Sequence, residues 1–99
     1  MAETLDTTTE RFVCCVMGDS MAPQFRDGDR VWFDPQRTRD TGPAYVEFAD
    51  GSTAFRLVTA TEDGWLLATP DGSEVDVPAD MVARVVWADY HEQIIRGSI

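Results

Sequence analysis

The sequence predicts an all-β domain: a small, partly closed antiparallel sheet with little helix. Three observations predict it. Turn signals recur about every 8–12 residues, the apolar runs between them are short and rich in β-branched and aromatic side chains, and Asp-Gly pairs stand where tight hairpins require positive φ angles. Length agrees, since 99 residues with 43% apolar side chains build one modest core and leave no room for a second domain.

Residues 1–10 are polar and threonine-rich, with acids at Glu3, Asp6 and Glu10, and read as an extended lead-in to a domain spanning residues 11–99. Residues 11–17 are β-branched, aromatic and sulfur side chains without a helix cap, so a buried strand is expected there, stopping at Gly18. Pro23 and Asp27-Gly28-Asp29 break the chain before residues 30–34, which alternate polar and apolar as a second strand until Pro35. Residues 45–48 and 53–58 flank Ala49-Asp50-Gly51-Ser52 and should pair antiparallel. Residues 65–68 and 74–77 flank Pro70-Asp71-Gly72 in the same way, and residues 82–87 form a final apolar strand. The last stretch, residues 88–99, carries Tyr90, Ile94 and Ile95 in a spacing that suits either a short helix or a tail lying over a partner.

Charge and cysteine usage narrow the function classes. Eighteen acids against eight bases give a net charge of −10, which repels a phosphate backbone, so direct nucleic-acid binding by this chain is not expected. Arg37 and Arg39, flanked by Asp34 and Asp40, read as a solvated loop. Cys14 and Cys15 are adjacent, point to opposite faces of a strand and cannot readily pair; they read as reduced, buried thiols of a cytoplasmic protein. The sequence offers no secretory leader, no apolar run of about 20 residues for a membrane span, no glycine-rich phosphate loop and no metal-ligand spacing, so a soluble protein without cofactor or metal is expected. The acidic stretch 71–80 reads as a solvent-facing edge that discourages further strand pairing. Trp32, Trp65 and Trp87 read as core or dimer contacts, with Trp32 on the opposite face from Val31 and Phe33.

The chemistry concentrates at Gly18-Asp19-Ser20-Met21. Ser20 follows a strand and a glycine, so its hydroxyl is displayed on a turn, where a nucleophile is useful. A serine hydroxyl needs a base to take its proton. The chain has no lysine, and all eight of its basic residues are arginines, which stay protonated in ordinary protein sites. Of the other candidates, His91 reads as a surface histidine on a late segment, and Asp19 as a turn former bonding nearby amides.

Met17-Gly18-Asp19-Ser20-Met21-Ala22-Pro23, followed by Asp27-Gly28-Asp29-Arg30-Val31, resembles the LexA and phage-repressor family of self-cleaving serine peptidases, whose box the signal peptidases share. Residues 42–48, Asp50-Gly51, 53–58 and 83–87 resemble, in order, that family's later strands and hairpin, so the resemblance covers about residues 12–87. It implies a LexA/signal-peptidase-type sheet with Ser20 at the nucleophile position. Counting without a gap places Arg56 at the position of the family lysine; aligning the family's Lys-Arg-Leu triplet on Phe55-Arg56-Leu57 places Phe55 there. The ungapped register is preferred because a one-residue shift turns a strand's side chains to the other face. In both registers the base is missing. The family's scissile bond, typically Ala-Gly in a preceding linker, has no counterpart in residues 1–10.

The expected function is therefore that of a catalytically silent LexA-like domain acting by association: a homodimer, a heterodimer with a related repressor, or a partner of a recombinase filament. Because the family dimerises through its C-terminal strand, the resemblance makes Val82, Val85, Trp87, Ile94 and Ile95 the expected interface. Two alternatives stand beside it: a serine hydrolase using Ser20 with an unidentified base, and the oligomerisation portion of a longer DNA-binding repressor.

Overall fold

The computed structural model describes residues 10–93, folded as seven strands and one 3₁₀ turn: β1 (Phe12–Cys15), β2 (Arg30–Asp34), β3 (Thr41–Phe48), β4 (Thr53–Ala60), β5 (Gly64–Ala68), β6 (Glu74–Pro78), the 3₁₀ turn Ala79–Met81 and β7 (Val82–Glu92). All pairings are antiparallel, in the order β1-β2-β7-β3-β4-β5-β6. The last strand thus sits near the centre. It runs on to Glu92, beyond the expected end at residue 87, because β2 supplies partners for residues 87–92.

Local chemistry makes the hairpins. At the β3–β4 turn Asp50 Oδ1 accepts from the Ser52 N–H (2.9 Å) and hydroxyl (2.6 Å); at the β5–β6 turn Asp71 Oδ1 accepts from the Ser73 N–H (2.9 Å) and Thr69 hydroxyl (2.6 Å). These carboxylates hold the turn backbone in place.

Strand alternation divides the core between two faces. Val16, Met21, Phe25, Val31, Phe33 and Val86 form one cluster; Ala44, Val46, Val58, Leu67 and Trp87 form the other. Each large side chain buried there contributes about 1.5–3 kcal/mol. Phe33 on β2 and Phe55 on β4 stand three strands apart, which in a flat sheet means about 14 Å at about 4.8 Å per strand, yet their ring centroids are 5.6 Å apart. On the other face Trp65 of β5 and Trp87 of β7, also three strands apart, lie at 6.3 Å. The sheet therefore curls one way around the first cluster and the opposite way around the second, without closing: β1 and β6 remain its two edges.

Two expectations are corrected. The stretch 11–17 is not a buried strand; β1 is an edge whose residues alternate between half-buried and exposed, because nothing covers its outer face. Cys15 accordingly is exposed, while Cys14 packs on the first cluster, and burial, reinforced by the neighbouring Cys15 thiol, pushes the Cys14 thiol above its ordinary value. β6 is the exposed acidic edge the sequence describes.

Candidate functional site: the Ser20 cleft

Residues 16–29 form a loop stapled onto the first face of the sheet. Met21, Phe25 and Asp29, four residues apart, are all buried, and Pro23, Gln24, Arg26 and Asp27 between them are exposed. Ser20 precedes the Met21 anchor and is exposed, as is Met17 at 85%. Backbone bonds close the loop: Val16 N–H to Asp29 O (2.8 Å), Gly28 N–H to Val16 O (2.8 Å), Phe25 N–H to Met21 O (2.8 Å) and Ala22 N–H to Asp19 O (3.0 Å). Gly18 adopts φ +85°, which L side chains resist, and its N–H donates to Asp27 Oδ1 (2.7 Å). Asp27, not Asp19, is thus the carboxylate that braces the serine turn; Asp19 takes part through its backbone carbonyl.

The sequence reading also misplaced His91. It is not an ordinary surface histidine: its Nε2 lies 2.9 Å from Oδ2 of Asp29, and its ring packs on Phe25 at 4.4 Å. Asp29, 1% exposed, also accepts the Arg26 N–H through the same oxygen (3.0 Å). This pair ties the serine loop to the end of β7. The Asp-Gly-Asp triplet carried the signal for both carboxylates, but only as a chain break; which acid turns inward depends on β7, which is remote in sequence.

Ser20 opens onto a cleft of about 360 Å³ between the end of β1, the serine turn and residues 53–56 of β4. β4 pairs with β5 only from Leu57 onward, so this part of β4 has an open side. Both Phe55 and Arg56 line the cleft, from opposite faces of the strand. Phe55 lies on the face of the serine loop, edge-on to Phe25 at 4.8 Å. Arg56 follows it on the strand beside the open side of β4, and its Nη1 donates to Phe55 O (2.7 Å). The alternation invoked to prefer Arg56 thus puts Phe55 on the serine-loop face. Ser20 Oγ makes no hydrogen bond among the described residues, His91 is not part of the cleft lining, and no group of three or more His, Cys, Asp or Glu side chains among the described residues is arranged to hold a metal.

The family model of the Peptidase S24-like proteins matches residues 1–86. The chain belongs to that family. Comparison with curated proteins and with solved structures returns no match. The match spans the Ser20 box, the open hairpin strand and the start of β7, so the all-β sheet and serine turn described above are those of an S24-like, LexA/phage-repressor-like domain.

Of the residues expected at an interface of this S24-like domain, Ile94 and Ile95 lie outside the described residues. Val82 and Val85 are half-buried against the second core cluster, and Trp87 is buried within it, so Trp87 faces the domain's own interior and not a partner. β7 has neighbours on both sides, β2 and β3. Its exposed residues are Ala83 and Tyr90; Tyr90, 57% exposed, is in register with Trp32 and, one strand further, Val13. The Arg11 guanidinium sits 5.6 Å from the Trp32 ring centroid. No helix among the described residues is long and apolar enough to cross a membrane.

Proposed function

We propose that this S24-like domain is catalytically silent and works by association, as a homodimer or with a related repressor domain, in transcriptional or phage-type regulation. The observation that carries the reading is the Ser20 cleft itself: the turn and hydroxyl are in place, while the strand beside them presents Phe55 and Arg56 in a chain without lysine. Neither a phenyl ring nor a guanidinium takes a proton from a hydroxyl at neutral pH. The row Val13, Trp32 and Tyr90 is the surface for association, because it is an apolar sheet face left open beside the strand that the family uses for dimerisation.

Sedimentation equilibrium at micromolar concentration tests the reading: a dimer that Tyr90→Asp converts to monomer is expected, and a monomeric wild-type chain in the absence of a related repressor domain, with none formed when that domain is added, counts against it. The unengaged Ser20 hydroxyl in an open cleft favours one second reading, a serine hydrolase acting on another chain. Labelling of wild type, but not Ser20→Ala, by a fluorophosphonate probe would establish that reading instead.

A further inference from the structure

The geometry points to the Ser20 cleft as a carboxylate-binding site with the Arg56 guanidinium as its receptor. Four arginines spend their charge within the fold: Arg11 and Arg37 on Asp89, Arg30 on Glu92 and Arg84 on Glu47. Arg26, Arg39 and Arg56 form no ion pair among the described residues, in a chain with 18 acids to 8 bases, and of these three only Arg56 is half-buried and lines the cleft. An arginine that stays clear of so many carboxylates, on a half-buried stretch facing a cleft, holds a partly desolvated positive charge ready for an external anion.

Its donors are available. A guanidinium carries five N–H groups, and the bond to Phe55 O uses one. The remaining fork suits the two oxygens of a carboxylate, and the Ser20 hydroxyl across the same cleft can add a further donor. The rest of the lining includes Met17, Phe33, Tyr45 and Phe55, so the polar groups sit beside an apolar wall. That pairing fits a ligand with a carboxylate head and a small apolar body, and about 360 Å³ lies within the size range of small-ligand sites. Either a free small carboxylic acid or the carboxy terminus of a peptide supplies this chemistry. The site stands whether or not the domain dimerises.

Titration of the ¹⁵N-labelled chain with N-acetyl-dialanine, its C-terminal amide and acetate, followed by NMR, tests the assignment. The acid should shift the Ser20 and Met17 amides and the Arg56 Nε–H saturably, the amide should bind at least about tenfold more weakly, and Arg56→Gln should erase the difference. Acetate matching the peptide acid identifies a small acid as the source, and tighter binding of the peptide acid identifies a carboxy terminus; both support the site. Equal binding of acid and amide by the wild-type chain, a preference for the acid that survives Arg56→Gln, or no shifts at the cleft overturns it. The comparison of acid with amide needs no variant, so a folding defect in Arg56→Gln does not blunt the test.

Discussion

His91 Nε2 lies 2.9 Å from Oδ2 of Asp29, so the last strand of the domain holds the only buried acidic side chain of the described core, at the end of the serine loop. Removing the imidazole leaves that carboxylate without one of its partners in a site it cannot readily rehydrate. His91→Ala is expected to lower stability by about 2–3 kcal/mol in urea denaturation. Glu92→Ala, which removes the exposed partner of Arg30, should cost under about 1 kcal/mol. Equal effects of the two would show that the His91–Asp29 pair is no more than a surface contact.

Backbone crowding makes a second prediction. A Cβ on Gly64 would stand 2.2 Å from Val77 O and 2.7 Å from Ala79 N, both backbone atoms that cannot swing aside. Gly64→Ala should therefore separate β5 from the segment formed by the end of β6 and the 3₁₀ turn and cost about 1–3 kcal/mol, read as a fall in melting temperature. Unchanged melting would mean that the two segments can part without loss.

Acid should weaken the hairpin turns. Hydrogen bonds hold two carboxyls below their ordinary value: Asp50 through the Ser52 hydroxyl and then its N–H, and Asp71 through the Thr69 hydroxyl and then the Ser73 N–H. A carboxyl whose folded pKa is depressed stabilises the fold above its unfolded value, and that contribution is lost as pH falls through the folded one. The double variant Asp50→Asn, Asp71→Asn should thus flatten the decline in stability below about pH 4, while its stability at pH 7 falls towards the acid-limb value. A wild-type acid limb retained in the variant would assign that decline to other carboxylates.

Thiol chemistry should discriminate between neighbours. Cys15 is exposed, whereas Cys14 is partly buried with its thiol pushed up. Alkylation with iodoacetamide near pH 8, resolved by peptide mass spectrometry, is expected to modify Cys15 well ahead of Cys14. The reverse order would place Cys14, not Cys15, on the open side of β1.

The serine cleft can be asked which strand position it lacks. Phe55 shares the face of the serine loop, so an amine there is closer to Ser20 than one at Arg56. Fluorophosphonate labelling at alkaline pH should rise more in Phe55→Lys than in Arg56→Lys, provided circular dichroism shows that Phe55→Lys keeps the sheet. Greater labelling of Arg56→Lys would restore the ungapped register.

The parts of this architecture legible in the sequence are those with a local cause. Asp50-Gly51 and Asp71-Gly72 announce their hairpins because a side chain two residues away closes each turn. Ser20 is legible as a displayed hydroxyl for the same reason, since Gly18 and the buried Met21 flank it. The insertion of β7 between β2 and β3 leaves no such mark, because those pairings, from Phe48 with Val82 to Arg30 with Glu92, join residues far apart along the chain. The misjudged side chains follow from that strand order: His91 gains its buried partner through it, and Val13 and Cys15 are exposed because β1 is left at the rim.

The double curl of the sheet has an optical consequence. Trp65 and Trp87 stand 6.3 Å apart with their ring planes at 57°, close and skewed enough for their excited states to couple. Paired circular-dichroism bands are expected from that coupling, and they should vanish when the indoles separate, even if every strand stays hydrogen-bonded. The second face of this domain therefore carries its own intrinsic ruler, able to show whether the curl relaxes before the sheet unzips.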